Sequence, residues 1–94
     1  MLTSKLGTTD LELTRVGLGT WAMGGGDWLF GWGPQNESEA IGAITRAIEL
    51  GINWIDTARI YGHGKSEEVV GKALKQISKK PIIATKFGRV FQDD

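Results

Sequence analysis

Three side chains of this sequence have the types and placement that proton transfer requires: Asp56, Tyr61 and Lys86. A carboxylate and an ammonium form a charge-assisted pair when their segments bring them within hydrogen-bond reach. A phenol beside that ammonium is biased toward giving up its proton. Tyr61 is then a candidate general acid, with Asp56 and Lys86 shaping its electrostatic surroundings. Singly, each has a plainer reading, because an Asp after a strand often caps a loop and a Lys after a strand is often only solvated. The chemistry therefore depends on the elements that would bring the three together.

Those elements can be traced along the chain. Thr3 to Leu6 and Leu11 to Thr14 flank the turn-forming cluster Gly7-Thr8-Thr9-Asp10, which predicts a β-hairpin. Val16-Gly17-Leu18-Gly19-Thr20 reads as a first buried strand, with glycines suited to close packing. Residues from Ala22 to Gln35 follow no period and read as a long loop. Asn36 as N-cap with Glu39 at the third helical position starts a helix over Glu37 to Leu50, and Gly51 stops it. Ile52 to Ile55 is a second strand. Ser66 opens and caps a second amphipathic helix with Val69, Val70, Ala73, Leu74 and Ile77 on one side, and Pro81 to Thr85 is a third strand.

Strand, helix, strand, helix, strand is the order of an α/β fold with a parallel sheet and right-handed crossovers. In any such sheet the carboxyl ends of the strands share one face, so Asp56, Lys86 and Gly19-Thr20-Trp21 converge there, joined by Tyr61 from the loop after strand two. Ends of neighbouring strands lie roughly 5 Å apart, close enough for Asp56 and Lys86 to pair. The interval from Asp56 to Lys86 matches the repeat of a barrel of roughly 250 residues in eight units. An open doubly wound sheet has similar spacing.

Composition narrows the partners. Acidic and basic residues balance at 11 each, so no charge footprint points to nucleic acid or an anionic membrane. A small molecule or a protein partner remains. The absence of cysteine removes disulfides, thiolate catalysis and Cys-ligated metal, and no metal site is expected. With no signal-peptide pattern and no apolar run approaching ~18 residues, a cytoplasmic protein is expected. Trp28, Phe30 and Trp32 in the long loop have two readings, lining of a substrate pocket or packing onto the sheet.

The phrase from Asp56 to Glu67, Asp-Thr-Ala-Arg-Ile-Tyr-Gly-His-Gly-Lys-Ser-Glu, resembles the aldo-keto reductase signature, and Val70-Gly71 continues it. Gly17-Leu18-Gly19-Thr20-Trp21 and Ile83-Ala84-Thr85-Lys86 resemble strands one and three of the same family. The Gly- and Trp-rich loop is similar to its bacterial, stress-related branch. This resemblance implies a (β/α)8 TIM barrel of which residues 1–94 are a single incomplete N-terminal portion, with 1–15 as the hairpin and 16–94 as three strands and two helices. It implies catalytic roles for Asp56, Tyr61 and Lys86, and cofactor contacts at Gly19, Thr20, Trp21 and Asp56. The implied reaction is reduction of a small aldehyde or ketone with NADP(H).

The family's fourth catalytic residue, a His after strand four, has no counterpart, and His63 reads as an exposed loop residue rather than its substitute. Gly17 to Ala22 also fits the letters of the Gly-x-Gly-x-x-Ala dinucleotide fingerprint. That fingerprint needs a helix opening at the glycines, whereas a loop follows here. With open strand edges, the 94 residues alone are expected to be inactive and to need the rest of a barrel or self-association as cover. A non-catalytic truncated product or regulatory subunit is the alternative.

Overall fold

A computed structural model describes residues 2–26 and 36–88. Trp28, Phe30 and Trp32 lie outside that range. Five strands and two helices follow in the order β1 (Thr3–Lys5), β2 (Glu12–Thr14), β3 (Leu18–Gly19), α1 (Glu37–Glu49), β4 (Trp54–Asp56), α2 (Lys65–Leu74) and β5 (Ile82–Ala84). Strands β1 and β2 form the expected antiparallel hairpin, and β3, β4 and β5 form a parallel sheet in that order. The loop expected from Ala22 begins instead with a 3-10 turn, Trp21–Gly24.

The helices form for the reasons legible in their ends. Asn36 Oδ1 accepts the Glu39 amide at 3.0 Å, satisfying one orphan donor of α1. At the other end Gly51 takes φ +105°. Its amide reaches Ile48 O and that of Ile52 reaches Ala47 O, a Schellman closure. Ala40, Ile44 and Ala47 of α1 and Val69, Val70 and Ala73 of α2 are buried. With Ile55 of β4, most of them form one apolar cluster between helices and sheet, flanked by Leu18 and Met23.

The hairpin is fastened to the sheet by Trp54, the first residue of β4, and by Asn53 just before it. Asn53 Oδ1 accepts the Thr14 amide at 2.9 Å and Asn53 Nδ2 donates to Glu12 O at 2.9 Å. Trp54 Nε1 donates to Thr14 O at 2.8 Å. The indole then occupies the space beside Gly17, where a Cβ would lie 2.2 Å from a ring carbon. Close packing thus explains Gly17 but not Gly19, whose Cβ direction is open. Among the described residues no helix is long and apolar enough to cross a membrane.

Candidate active site

The register of the parallel sheet lines up Gly19, Asp56 and Ala84 across three strands. Asp56 is the last residue of β4 rather than the first residue beyond it. Lys86 stands two residues past β5 and turns back over the strand ends. Its Nζ donates to Asp56 Oδ1 at 2.6 Å, to Thr57 O at 2.9 Å and to Tyr61 Oη at 3.4 Å. An ammonium carries three protons, and three oxygens meet them here. The contact with Asp56 is short and charge-assisted, whereas that with the phenol is long and weak. The sequence-predicted trio is therefore brought together, with Lys86 as its hub.

The hub remains open to water, since the side chains of Lys86 and Asp56 are 52% and 44% exposed. Partial desolvation pulls the Lys86 ammonium down, but its hydrogen bonds and attraction to Asp56 and Tyr61 outweigh this and leave it above the usual lysine value. Tyr61 is nearly enclosed, at 8% exposed. Its ring packs on Trp21 with centroids 5.0 Å apart and tilted by 47°. Lys86 Nζ lies 5.2 Å from the Tyr61 ring centre, within cation–π range.

The four residues expected to touch a cofactor separate into two kinds. Gly19, Trp21 and Asp56 present accessible surface at the strand ends. Thr20 does not, because its side chain is fully buried and its hydroxyl donates to Asp56 O at 3.2 Å. His63 is exposed and adopts φ +56°, between two glycines that are also left-handed. Among the described residues no group of three or more His, Cys, Asp or Glu could hold a metal ion. An open groove lined by Ile41, Thr45, Glu49 and Gln76 runs along the helices, away from the strand ends.

Ser66 is the residue that the sequence reading misplaced. Helix α2 begins at Lys65, with Gly64 at φ +97° as its N-cap, so Ser66 is inside the helix and not its cap. It is fully buried, and its hydroxyl contacts Thr57 Oγ1 at 2.9 Å and Thr20 Oγ1 at 2.7 Å. Its position carried the missed signal: residues 66, 69, 70 and 73 follow the buried stripe of an amphipathic helix, so a polar side chain at 66 needed buried partners.

Comparison with known proteins agrees with this architecture. The model of the Aldo/keto reductase family matches residues 15–94. The aldo-keto reductase YhdN of Bacillus subtilis is 46% identical over 85 residues, covering 88% of this chain and 24% of its own length. The NADH-specific methylglyoxal reductase of Escherichia coli is 46% identical over 89 residues, covering 93% and 26%. Among solved structures, the holo form of an aldo-keto reductase from Bacillus halodurans superposes with a TM-score of 0.80 at 35% identity, over 99% of this chain and 28% of that one. The glycerol dehydrogenase of Gluconobacter oxydans gives 0.74 at 42% identity, over 92% and 25%. The chain thus spans about a quarter of the length of the relatives it matches. Its sheet and two helices are the N-terminal portion of a (β/α)8 barrel, preceded by a hairpin. With a family model matching most of its length, the chain belongs to the aldo/keto reductase family.

Proposed function

We propose that these residues form part of a site for nicotinamide-dependent reduction of aldehydes and ketones to alcohols, with NADPH as the donor. The observation that carries this reading is the seat of Lys86 Nζ among Asp56 Oδ1, Thr57 O and Tyr61 Oη. The accessible Gly19, Trp21 and Asp56 suit contact with a flat, amide-bearing ring, whereas the enclosed Thr20 hydroxyl would serve only as floor. Such a dinucleotide, when bound, supplies the hydride.

The chain's own residues handle the proton. Tyr61 Oη holds it and delivers it to the carbonyl oxygen as negative charge develops there. The Lys86 ammonium then stabilises the phenolate that is left, and Asp56 keeps that ammonium charged and in place. Trp21 limits the freedom of the Tyr61 ring, which favours a fixed donor direction.

The 94 residues alone are expected to show no turnover, because β3 and β5 each lack a neighbour on one side among the described residues. The site itself is testable in a whole barrel. Residues 15–94 are exchanged for the matching segment of the B. subtilis relative, and aldehyde-dependent oxidation of NADPH and of NADH is followed. The NADH arm is included because the E. coli relative is NADH-specific. Tyr61→Phe is expected to lower kcat/KM of the hybrid by about 10²-fold or more, the usual scale of a general acid. Full activity of Tyr61→Phe beside an inactive Lys86→Met would remove Tyr61 as proton donor. Turnover by the isolated chain, at an intact mass of 94 residues, would remove the expectation of inactivity.

A further inference from the structure

We infer that Ser66 is a positioning residue that sets the seat of the Lys86 ammonium through a buried chain of hydroxyls, a role that rests on the proposed Asp56–Lys86–Tyr61 site. The proton count fixes the direction of this chain. Thr20 Oγ1 donates to Asp56 O at 3.2 Å. Ser66 Oγ has one proton, and its two acceptors, Thr20 Oγ1 at 2.7 Å and Thr20 O at 3.1 Å, belong to the same residue. Because the Ser66 proton goes to Thr20, the 2.9 Å contact with Thr57 is made by the Thr57 hydroxyl donating to Ser66 Oγ. The run is therefore Thr57 to Ser66 to Thr20 to Asp56 O, and all three hydroxyl residues are at most 1% exposed.

Geometry connects this run to the reacting face. Asp56 O also accepts the Thr20 amide at 3.1 Å, so the end of β4 is held to the end of β3 twice through Thr20. Thr57 O is one of the three oxygens on Lys86 Nζ, and the Thr57 amide donates to Ala84 O of β5 at 2.8 Å. Ser66 thus joins α2 directly to Thr57 and, through Thr20, to Asp56, two of the three residues whose oxygens receive Lys86. A helix capped at Gly64 does not need Ser66 for its own ends, and a buried hydroxyl is retained at low cost only when fully bonded. No buried side-chain polar atom among the described residues lacks a partner.

The test reads Lys86 directly in the 94-residue chain at low concentration. Trace acetylation followed by peptide mapping gives the reactivity of each lysine, with exposed Lys5 and Lys79 as internal references. Only the uncharged amine reacts, so each pKa unit is worth about tenfold in rate at a pH well below the pKa. Thr57→Val keeps shape and removes the hydroxyl, whereas Thr57→Ser keeps the hydroxyl and removes a methyl. The expected result is a slow Lys86 in the parent and in Thr57→Ser, accelerated about threefold or more relative to the references in Ser66→Ala and Thr57→Val. A purely stabilising Ser66 would lower the melting temperature and leave this ratio unchanged. The proposal is overturned if Thr57→Val keeps Lys86 as slow as in the parent, if Thr57→Val fails to fold, or if Thr57→Ser accelerates Lys86 as much as Thr57→Val. A parent Lys86 as reactive as Lys5 would count against the Asp56–Lys86 pair and hence the proposed function as well. Protection that persists in Ser66→Ala and Thr57→Val counts against Ser66 alone.

Discussion

Gly62 shows how narrowly a single residue constrains this site. It follows Tyr61 directly, adopts φ +67°, and a Cβ there would lie 1.9 Å from Gly24 O. The loop carrying Tyr61 therefore rests on the backbone of the Trp21–Gly24 turn, and the same contact sets Trp21 against the Tyr61 ring. Gly62→Ala meets both obstacles, a left-handed backbone and an immovable carbonyl, and is expected to destabilise the chain by about 2 kcal/mol or more. Gly42→Ala is the matched control. Gly42 lies exposed in α1 with no atom within 4 Å of its Cβ direction, so the change is expected to stabilise by about 0.5–1 kcal/mol. Thermal melts of the two variants should move in opposite directions. Equal shifts would mean that the Gly62 contact is not made. At this scale the sequence was informative where chemistry and spacing agree: Asp56, Tyr61 and Lys86 were identifiable before their contact distances were known. Gly62 and Thr57 were not, and Thr20 was read as a cofactor contact rather than a buried link, because their importance lies in close approaches across 9 to 46 positions of chain, which no local pattern records.

At the scale of elements, α1 and α2 are coupled by charge as well as by their apolar faces. Glu37, in the first turn of α1, accepts from Lys65 Nζ at 3.0 Å and from Lys72 Nζ, which lie at opposite ends of α2. The hydrogen bond from Lys72, then that from Lys65, holds the Glu37 carboxyl below its ordinary value of 4.5. A depressed carboxylate contributes stability above its unfolded value and loses it as pH falls through the lower folded value. Acid unfolding below about pH 4.5 should therefore be shallower in Glu37→Gln than in the parent, and the difference should shrink with added salt because the cluster is exposed. Identical acid limbs would remove Glu37 from the coupling. The cap of α1 is a separate test: Asn36→Ala should cost about 1 kcal/mol in a urea melt, and Asn36→Asp much less. The helices were legible because their caps and stripes are local, so α1 was read to within a residue at its end. Strand lengths and the start of α2 were less legible. Pairing partners decide where Trp54–Asp56 counts as strand, and the left-handed Gly62-His63-Gly64 run moved the cap from Ser66 to Gly64.

Among the described residues, the parallel sheet is covered by two helices and bounded on either side by strands with one neighbour each. Ile83 of β5 shares its register with the fully buried Ile55, so it faces the helix layer, yet it is 40% exposed. Phe87 beyond it is entirely exposed. An unpaired strand edge beside uncovered apolar side chains is a template for pairing with another chain. The isolated polypeptide is accordingly expected to associate at micromolar to millimolar concentration, which sedimentation velocity over a dilution series would show as a rising average mass. A lysine next to the free edge opposes that pairing by charge and desolvation, so Ile83→Lys should shift association to higher concentration. Its direct effect on the Lys86 seat is expected to be small, because position 83 faces the helix layer whereas Asp56 shares a register with Ala84. Amine reactivity of Lys86 in the two chains therefore separates loss of association from loss of fold. If Ile83→Lys associates as the parent does while Lys86 stays protected, the open β5 edge is not the contact that joins the copies.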